Sequence, residues 1–271
     1  MSGHSTVRSK DGTSIVYDGA GDGPVLILVG GAFSYRRYKS WVQLAELLAP
    51  RFRVISYDRR GRGDSGDAPT HAVEREIEDL DALVQAAGGS AHVFGMSSGG
   101  VLALRAAAAG VPIRRAVVYQ PPFSVDASGH LPPADFGERL DELVASGRRS
   151  ATVRYFMRQG MGAPRVLVGV LPVARPIWKN LEAMAHTLPY DYAVMGDTVH
   201  GKPLAREPWA SIATPTLLVD GGKSPASLRK ASDALAERMP NAERHTLKGQ
   251  SHNISMKMVA PVLEDFLLDR R

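Results

Sequence analysis

Short continuous apolar runs occupy residues 25–29, 54–57, 91–96, 116–119 and 216–219. Runs of this length without alternation predict strands buried on both faces. The stretches between them follow a helical period. Residues 38–49 place Trp41, Leu44, Leu47 and Leu48 on one face, and residues 74–86 do the same with Ile77, Leu80 and Val84. Small apolar residues fill 98–109, and residues 226–239 carry Leu228, Ala231, Leu235 and Met239. Residues 242–248 read as a last strand, followed by a helix bearing Val259, Val262, Leu263, Phe266 and Leu267. Strand and helix alternate, which predicts an α/β fold: a mostly parallel sheet with helices on both faces.

The alternation stops between Pro121 and about Trp209. Pro121-Pro122 and Pro132-Pro133 open this interval, helical patterns follow around 134–146, 149–158 and 176–187, and Pro203 and Pro208 close it. The reading is a core of residues 1–120 and 210–271 with a helical insertion, 121–209, over one edge of the sheet. No internal repeat or low-complexity tract interrupts it.

Composition narrows the chemistry. The chain has 271 residues, 44% hydrophobic and 23% charged, enough for one core with an insertion. It contains no cysteine, which excludes disulfides, thiolate catalysis and Cys-based zinc sites. No His/Asp/Glu spacing suggests a metal, and no cofactor is called for. The net charge is +5. Its basic clusters, Arg59, Arg60 and Arg62, then Arg148 and Arg149, are not interleaved with aromatics as nucleic-acid surfaces usually are, so a solvated basic surface is expected. The polar start lacks the apolar stretch of a secretory signal, and no run approaches the roughly 18 apolar residues of a membrane span. The expectation is a soluble cytoplasmic protein that meets a small-molecule substrate, not nucleic acid or membrane, with homodimer formation left open.

The candidate chemistry centres on Gly95-Met96-Ser97-Ser98-Gly99-Gly100, between the run 91–94 and the helical pattern 101–109. G-x-S-x-G in a strand–turn–helix context is a nucleophile elbow. The turn is sharp and strained, the chain on either side passes close, and a Cβ at either glycine would collide. The elbow presents Ser97 at the C-terminal edge of the sheet and places Ser97 and Ser98 at a helix N-terminus, whose free N–H groups favour an oxyanion.

On these residues the chain resembles the α/β-hydrolase superfamily along nearly its whole length. Gly30-Gly31-Ala32 stands where the family has a His-Gly or Gly-Gly pair after its third strand, and Asp58-Arg59-Arg60-Gly61-Arg62-Gly63-Asp64-Ser65 matches its D-x-R-G-x-G-x-S turn. The resemblance implies oxyanion donors at the N–H groups of Ala32 and Ser98, and it makes the insertion a cap over the pocket. Gly31, Phe33, Phe123, Tyr155 and Trp178 are the expected substrate-binding residues, with Phe156, Met161, Met184 and Met195 as further apolar positions of the cap interior. Gly249-Gln250-Ser251-His252 resembles the family's terminal G-x-x-H segment, which makes His252 the base; His245, inside the last strand, is the weaker choice.

The third member of the triad departs from the pattern. Family members usually carry the acid after the seventh strand, in a segment such as G-x-x-D-P; this chain reads Gly221-Gly222-Lys223-Ser224-Pro225. A minority take it from the end of the sixth strand, often within Tyr-Glu-Pro-Pro, and here the chain reads Tyr119-Gln120-Pro121-Pro122. Gln120 is then the amide counterpart of a catalytic Glu. Asp220 and Asp126 are the nearby carboxylates that remain as alternative acids.

The sequence therefore predicts a serine-dependent enzyme acting on a small acyl compound (an ester, lactone or thioester) through an acyl-enzyme. A non-hydrolytic enzyme on the same fold (a cyclase, acyltransferase or lyase of a natural-product pathway) and a non-catalytic ligand receptor are the alternatives. Gly61-Arg62-Gly63-Asp64-Ser65-Gly66 also matches G-x-G-x-x-G, but Asp67-Ala68-Pro69 follows where a dinucleotide site needs a helix.

Overall fold

The computed structural model describes residues 4–270. Strands β1 (Ser5–Arg8), β2 (Ser14–Ala20), β3 (Val25–Val29), β4 (Arg53–Tyr57), β5 (Ala91–Met96), β6 (Ile113–Tyr119), β7 (Thr216–Gly221) and β8 (Ala242–Leu247) form one sheet in the order β1-β2-β4-β3-β5-β6-β7-β8. β4, β3, β5, β6, β7 and β8 run parallel, and β1 and β2 add an antiparallel edge. That edge was not visible in the sequence pattern: Ser-Ile-Val-Tyr-Asp-Gly-Ala in β2 has too short an apolar run to stand out.

The helices are α1 (Lys39–Leu48), α2 (Val73–Ala86), α3 (Ser98–Ala108), α4 (Phe136–Ala145), α5 (Arg149–Tyr155), α6 (Arg165–Val170), α7 (Arg175–Ala183), α8 (Leu188–Met195), α9 (Ala226–Ala236) and α10 (Met256–Leu267). Successive strand residues point to opposite faces, so the sheet has two cores. Ile27, Val29, Val93, Val118 and Leu218 pack with α2, α3 and α9, while Leu26, Leu28, Phe94, Val117 and Val219 pack with α1 and α10. Each fully buried aliphatic side chain contributes about 1.5–3 kcal/mol, which is why the central strands read as unbroken apolar runs.

Between β6 and β7 no described residue lies in a strand. Helices α4 to α8 occupy this interval, and α4, α5, α7 and α8 pack around Phe136, Leu140, Phe156 and Leu188, and around Val153, Trp178 and Ala185. Phe33, from the loop after β3, packs against both groups, and Ala32 joins the first. At its ends the interval is tied into the main core by Phe123, Val194, Trp209 and Ile212. Among the described residues no helix is long and apolar enough to cross a membrane.

One expectation is corrected. Arg59, Arg60 and Arg62 are not a solvated basic surface; they are 2%, 0% and 1% exposed. Each has found carboxylate partners. Arg59 is held by Glu76 at 2.6 Å and Asp191 at 2.6 Å, Arg60 by Asp79 at 2.7 Å and Asp11 at 2.9 Å, and Arg62 by Asp191 at 2.6 Å. A buried guanidinium persists only when paired in this way. Arg148 and Arg149 are exposed, as expected.

Candidate active site

The turn between β5 and α3 is strained at one residue. Ser97 has φ 57° and ψ −131°, a conformation costly for any side chain but glycine. It persists because the surroundings leave no alternative. A Cβ on Gly99 would lie 2.3 Å from the carbonyl oxygen of Val29, and one on Gly95 would lie 2.6 Å from Cα of Gly100. The backbone N–H of Ser97 donates to the carbonyl of Tyr119 at 2.9 Å, fixing the elbow to the end of β6.

The loop after β3 runs beside Ser97. A Cβ on Gly31 would be 3.0 Å from that of Ser97. The Ala32 N–H donates to Ser98 Oγ at 3.1 Å, and Ser98 Oγ in turn donates to Asp191 at 2.7 Å. Ser98 is the first residue of α3, where backbone N–H groups have no partner within the helix.

On the other side of Ser97 the end of β6 gathers the loop that bears His252. Tyr119 donates its hydroxyl to the carbonyl of Ser251. Burial raises the pKa of this phenol, so it stays the donor. Gln120, which is fully buried with φ 47°, turns its amide between two partners. Nε2 donates to Ser224 Oγ, and Oε1 lies 2.9 Å from Nδ1 of His252. An amide oxygen only accepts, so Nδ1 carries the hydrogen and Nε2 keeps its lone pair. Neither Nε2 of His252 nor Oγ of Ser97 has a hydrogen-bond partner among the described residues. Burial lowers the pKa of His252, and no neighbouring charge contributes.

The alternative carboxylates are engaged elsewhere. Asp220 is fully buried and bonded to Arg244 and, at 2.9 Å, to Thr246 on β8. Asp126 is half-buried, and hydrogen bonds from Lys230 and Ser128 hold its pKa down at about 2. Neither touches His252, whose ring partner is Gln120. His245 lies within β8 opposite Val219.

The expected substrate-binding residues divide. Gly31 borders Ser97, and Phe33, at φ 59°, meets Phe156 edge-on with ring centroids 5.7 Å apart. Tyr155 stacks on Phe136 at 5.2 Å, and Trp178 packs in the group that Phe33 touches. Phe33 and Tyr155 thus belong to the group that Ala32 joins, and Trp178 to the second group that Phe33 touches. Phe123 belongs to neither: it is buried in the main core against Trp209 at 5.2 Å. Met161 is exposed.

Two participants were missed by sequence reasoning. Tyr119 binds both sides of the site, through its carbonyl to Ser97 and through its hydroxyl to Ser251. A tyrosine closing a buried strand needs a partner for its hydroxyl, and that was the available signal. Asp191, in the otherwise apolar start of α8, is 1% exposed and takes hydrogen bonds from Arg59, Arg62 and Ser98. Burial works to raise the carboxyl of the nearby Glu76, but the Arg59 charge and the hydrogen bonds from His71 and Arg59 outweigh it and hold the group well below its ordinary range.

Comparison with known proteins agrees with this architecture. Residues 25–264 match the Alpha/beta hydrolase family. An α/β hydrolase from Sphaerobacter thermophilus is 52% identical, with a TM-score of 0.90 over 97% of this chain and 100% of the other. The enol-lactonase of Burkholderia xenovorans shares the fold at 21% identity and TM-score 0.70, over 98% of this chain and all of the other. The N-formylmaleamate deformylase of Pseudomonas putida is 38% identical over 108 residues, a stretch spanning 38% of this chain and 40% of that enzyme. With the match to the family covering most of its length, the chain belongs to the α/β-hydrolase family.

Proposed function

We propose that the protein is a serine-dependent hydrolase of a small acyl compound, an ester, lactone or thioester. The observation that carries this reading is the 2.9 Å contact between His252 Nδ1 and Gln120 Oε1, which orients the free Nε2 as a base. In this reading Ser97 Oγ attacks the carbonyl carbon and its proton passes to Nε2 of His252. The carbonyl oxygen takes the developing charge toward the N–H of Ser98 and, as it turns from Ser98 Oγ, that of Ala32. The tetrahedral intermediate then expels the leaving group, and water repeats the sequence on the acyl-enzyme. The insertion acts as a cap, with Phe33, Tyr155 and Trp178 selecting the acyl portion. The names deformylase and enol-lactonase among similar proteins agree with an acyl substrate.

A fluorophosphonate probe followed by peptide mass spectrometry tests the assignment. Labelling confined to Ser97, lost in Ser97→Ala and strongly slowed in His252→Ala, is the expected result. A second reading, a non-hydrolytic enzyme such as an acyltransferase, is favoured by one observation: both acid positions hold neutral residues, Gln120 and Ser224, hydrogen-bonded to each other. Labelled Ser97 with acyl transfer to an added nucleophile and no hydrolysis would select it.

A further inference from the structure

We infer that the substrate carries a leaving group far more acidic than an alcohol, as in an enol or aryl ester, an enol lactone or a thioester, and that simple alkyl esters and amides are cleaved far more slowly. The inference rests on the proposed serine–histidine chemistry and follows from the neutral partner of His252. The imidazole receives a positive charge whenever it takes the Ser97 proton. In a charged triad, a carboxylate stabilises that imidazolium, and replacing it by an amide in a serine protease costs about 10⁴ in rate, part of it through the tautomer. Here Gln120 supplies orientation without charge, and its other neighbour, Ser224, is also neutral. The carboxylates of Asp220 and Asp126 are turned to Arg244 and Lys230.

The cost of this neutrality depends on how much charge His252 bears in the transition state. An alkoxide, with a conjugate acid near that of water at about 16, cannot depart unless imidazolium protonates it. A phenolate or thiolate, with conjugate acids of about 10 and 8.5, departs as the anion. For such groups the bond from Ser97 Oγ to the acyl carbon forms as the proton moves to Nε2. The bond to the leaving atom then breaks with its electron pair, and the anion takes a proton afterwards from His252 or water. The transition state comes early, with little charge on the ring. An alkyl ester or amide requires the fully formed imidazolium that Gln120 does not stabilise.

The same reasoning separates the two halves of the reaction. Deacylation always releases Ser97 as an alkoxide that needs protonation, so it bears the full penalty whatever the donor. Acylation by an activated donor therefore outruns deacylation, and acyl-enzyme accumulates.

Stopped-flow and steady-state kinetics on p-nitrophenyl, phenyl and ethyl acetate test this with the wild type and Gln120→Glu. The wild type should release a burst of p-nitrophenol equal to the active sites, and kcat/KM for ethyl acetate should lie more than about tenfold below that for phenyl acetate. Gln120→Glu should raise kcat/KM for ethyl acetate at least about tenfold more than for p-nitrophenyl acetate and shorten the acyl-enzyme lifetime. An equal change for both esters, or none, overturns the proposal. If Gln120→Glu fails to fold, the wild type alone decides: a linear release of p-nitrophenol, or ethyl acetate hydrolysed within about tenfold of phenyl acetate, overturns it. A burst that persists in Ser97→Ala would instead overturn the nucleophile assignment beneath it.

Discussion

Two polar regions flank Ser97, and they differ in charge. On one side Arg59, Arg62, Glu76 and Asp191 form a compact set of two cations and two anions, every member 2% exposed or less. On the other, His252, Gln120 and Ser224 form a row with no formal charge. The ionic set ties α8 to the turn after β4 and, through Ser98, to the loop bearing Ala32. It is a structural clamp: its charges cancel and its groups are fully partnered. The neutral row orients one imidazole and leaves its reactive nitrogen free. The difference teaches that burying charge here secures geometry, whereas the proposed chemistry runs where charge was removed.

The contrast breaks most visibly on the neutral side. Ser97→Ala should lower acyl cleavage by about 10³-fold or more, His252→Ala by a similar factor, and the double variant little further, since in the proposed chemistry nucleophile and base act as a unit. All three should melt within a few degrees of the wild type, because the row contributes orientation rather than stability. Steady-state kinetics beside thermal melts check both halves, and multiplicative losses would give His252 a different role.

On the ionic side the expected effects reverse. Asp191→Asn leaves Arg59 and Arg62 short of a buried counter-charge and should cost about 3–5 kcal/mol in denaturant unfolding. A loss below about 1 kcal/mol would mean that the clamp is not what holds α8 to the turn after β4. Gly99→Val, which forces a Cβ into the Val29 and Gly30 carbonyls, should cost about 3 kcal/mol and distort the elbow. Unchanged stability with unchanged activity would remove the strained turn from the account.

The two regions were unequally legible in the sequence. The elbow announces itself because its glycines are spaced by local geometry, and the pairing of Gln120 with His252 followed from a family resemblance at both segments. The central strands were plain because burial on two faces makes them continuously apolar. The ionic clamp was misread as solvated surface, since charged side chains reveal their burial only through partners, and those of Arg59 and Arg62 lie 17 and 132 positions away at Glu76 and Asp191 for the first, and 129 away for the second. Asp191 itself stands in an apolar stretch, Leu-Pro-Tyr-Asp-Tyr-Ala-Val-Met, where an unpaired carboxylate is not tolerated. That mismatch was the signal. The antiparallel edge β1–β2 escaped because edge strands mix polar and apolar positions.

The pH dependence follows the neutral row. Burial lowers the pKa of His252, so the basic imidazole persists below its ordinary value of about 6.5. The acid limb of kcat/KM should therefore lie below that value, with activity lost as pH falls through it. A carboxylate at position 120 favours the imidazolium and should move the limb to higher pH.

The most direct test of the account is an NMR titration of the His252 ring in the wild type and in Gln120→Glu. The account predicts a wild-type pKa below about 6.5, Nδ1 protonated in the neutral form, and a rise of at least about one unit in the variant. A wild-type pKa at or above the ordinary value, or one that the substitution leaves unchanged, would show that His252 already has a charged partner and that the neutral row is not its environment.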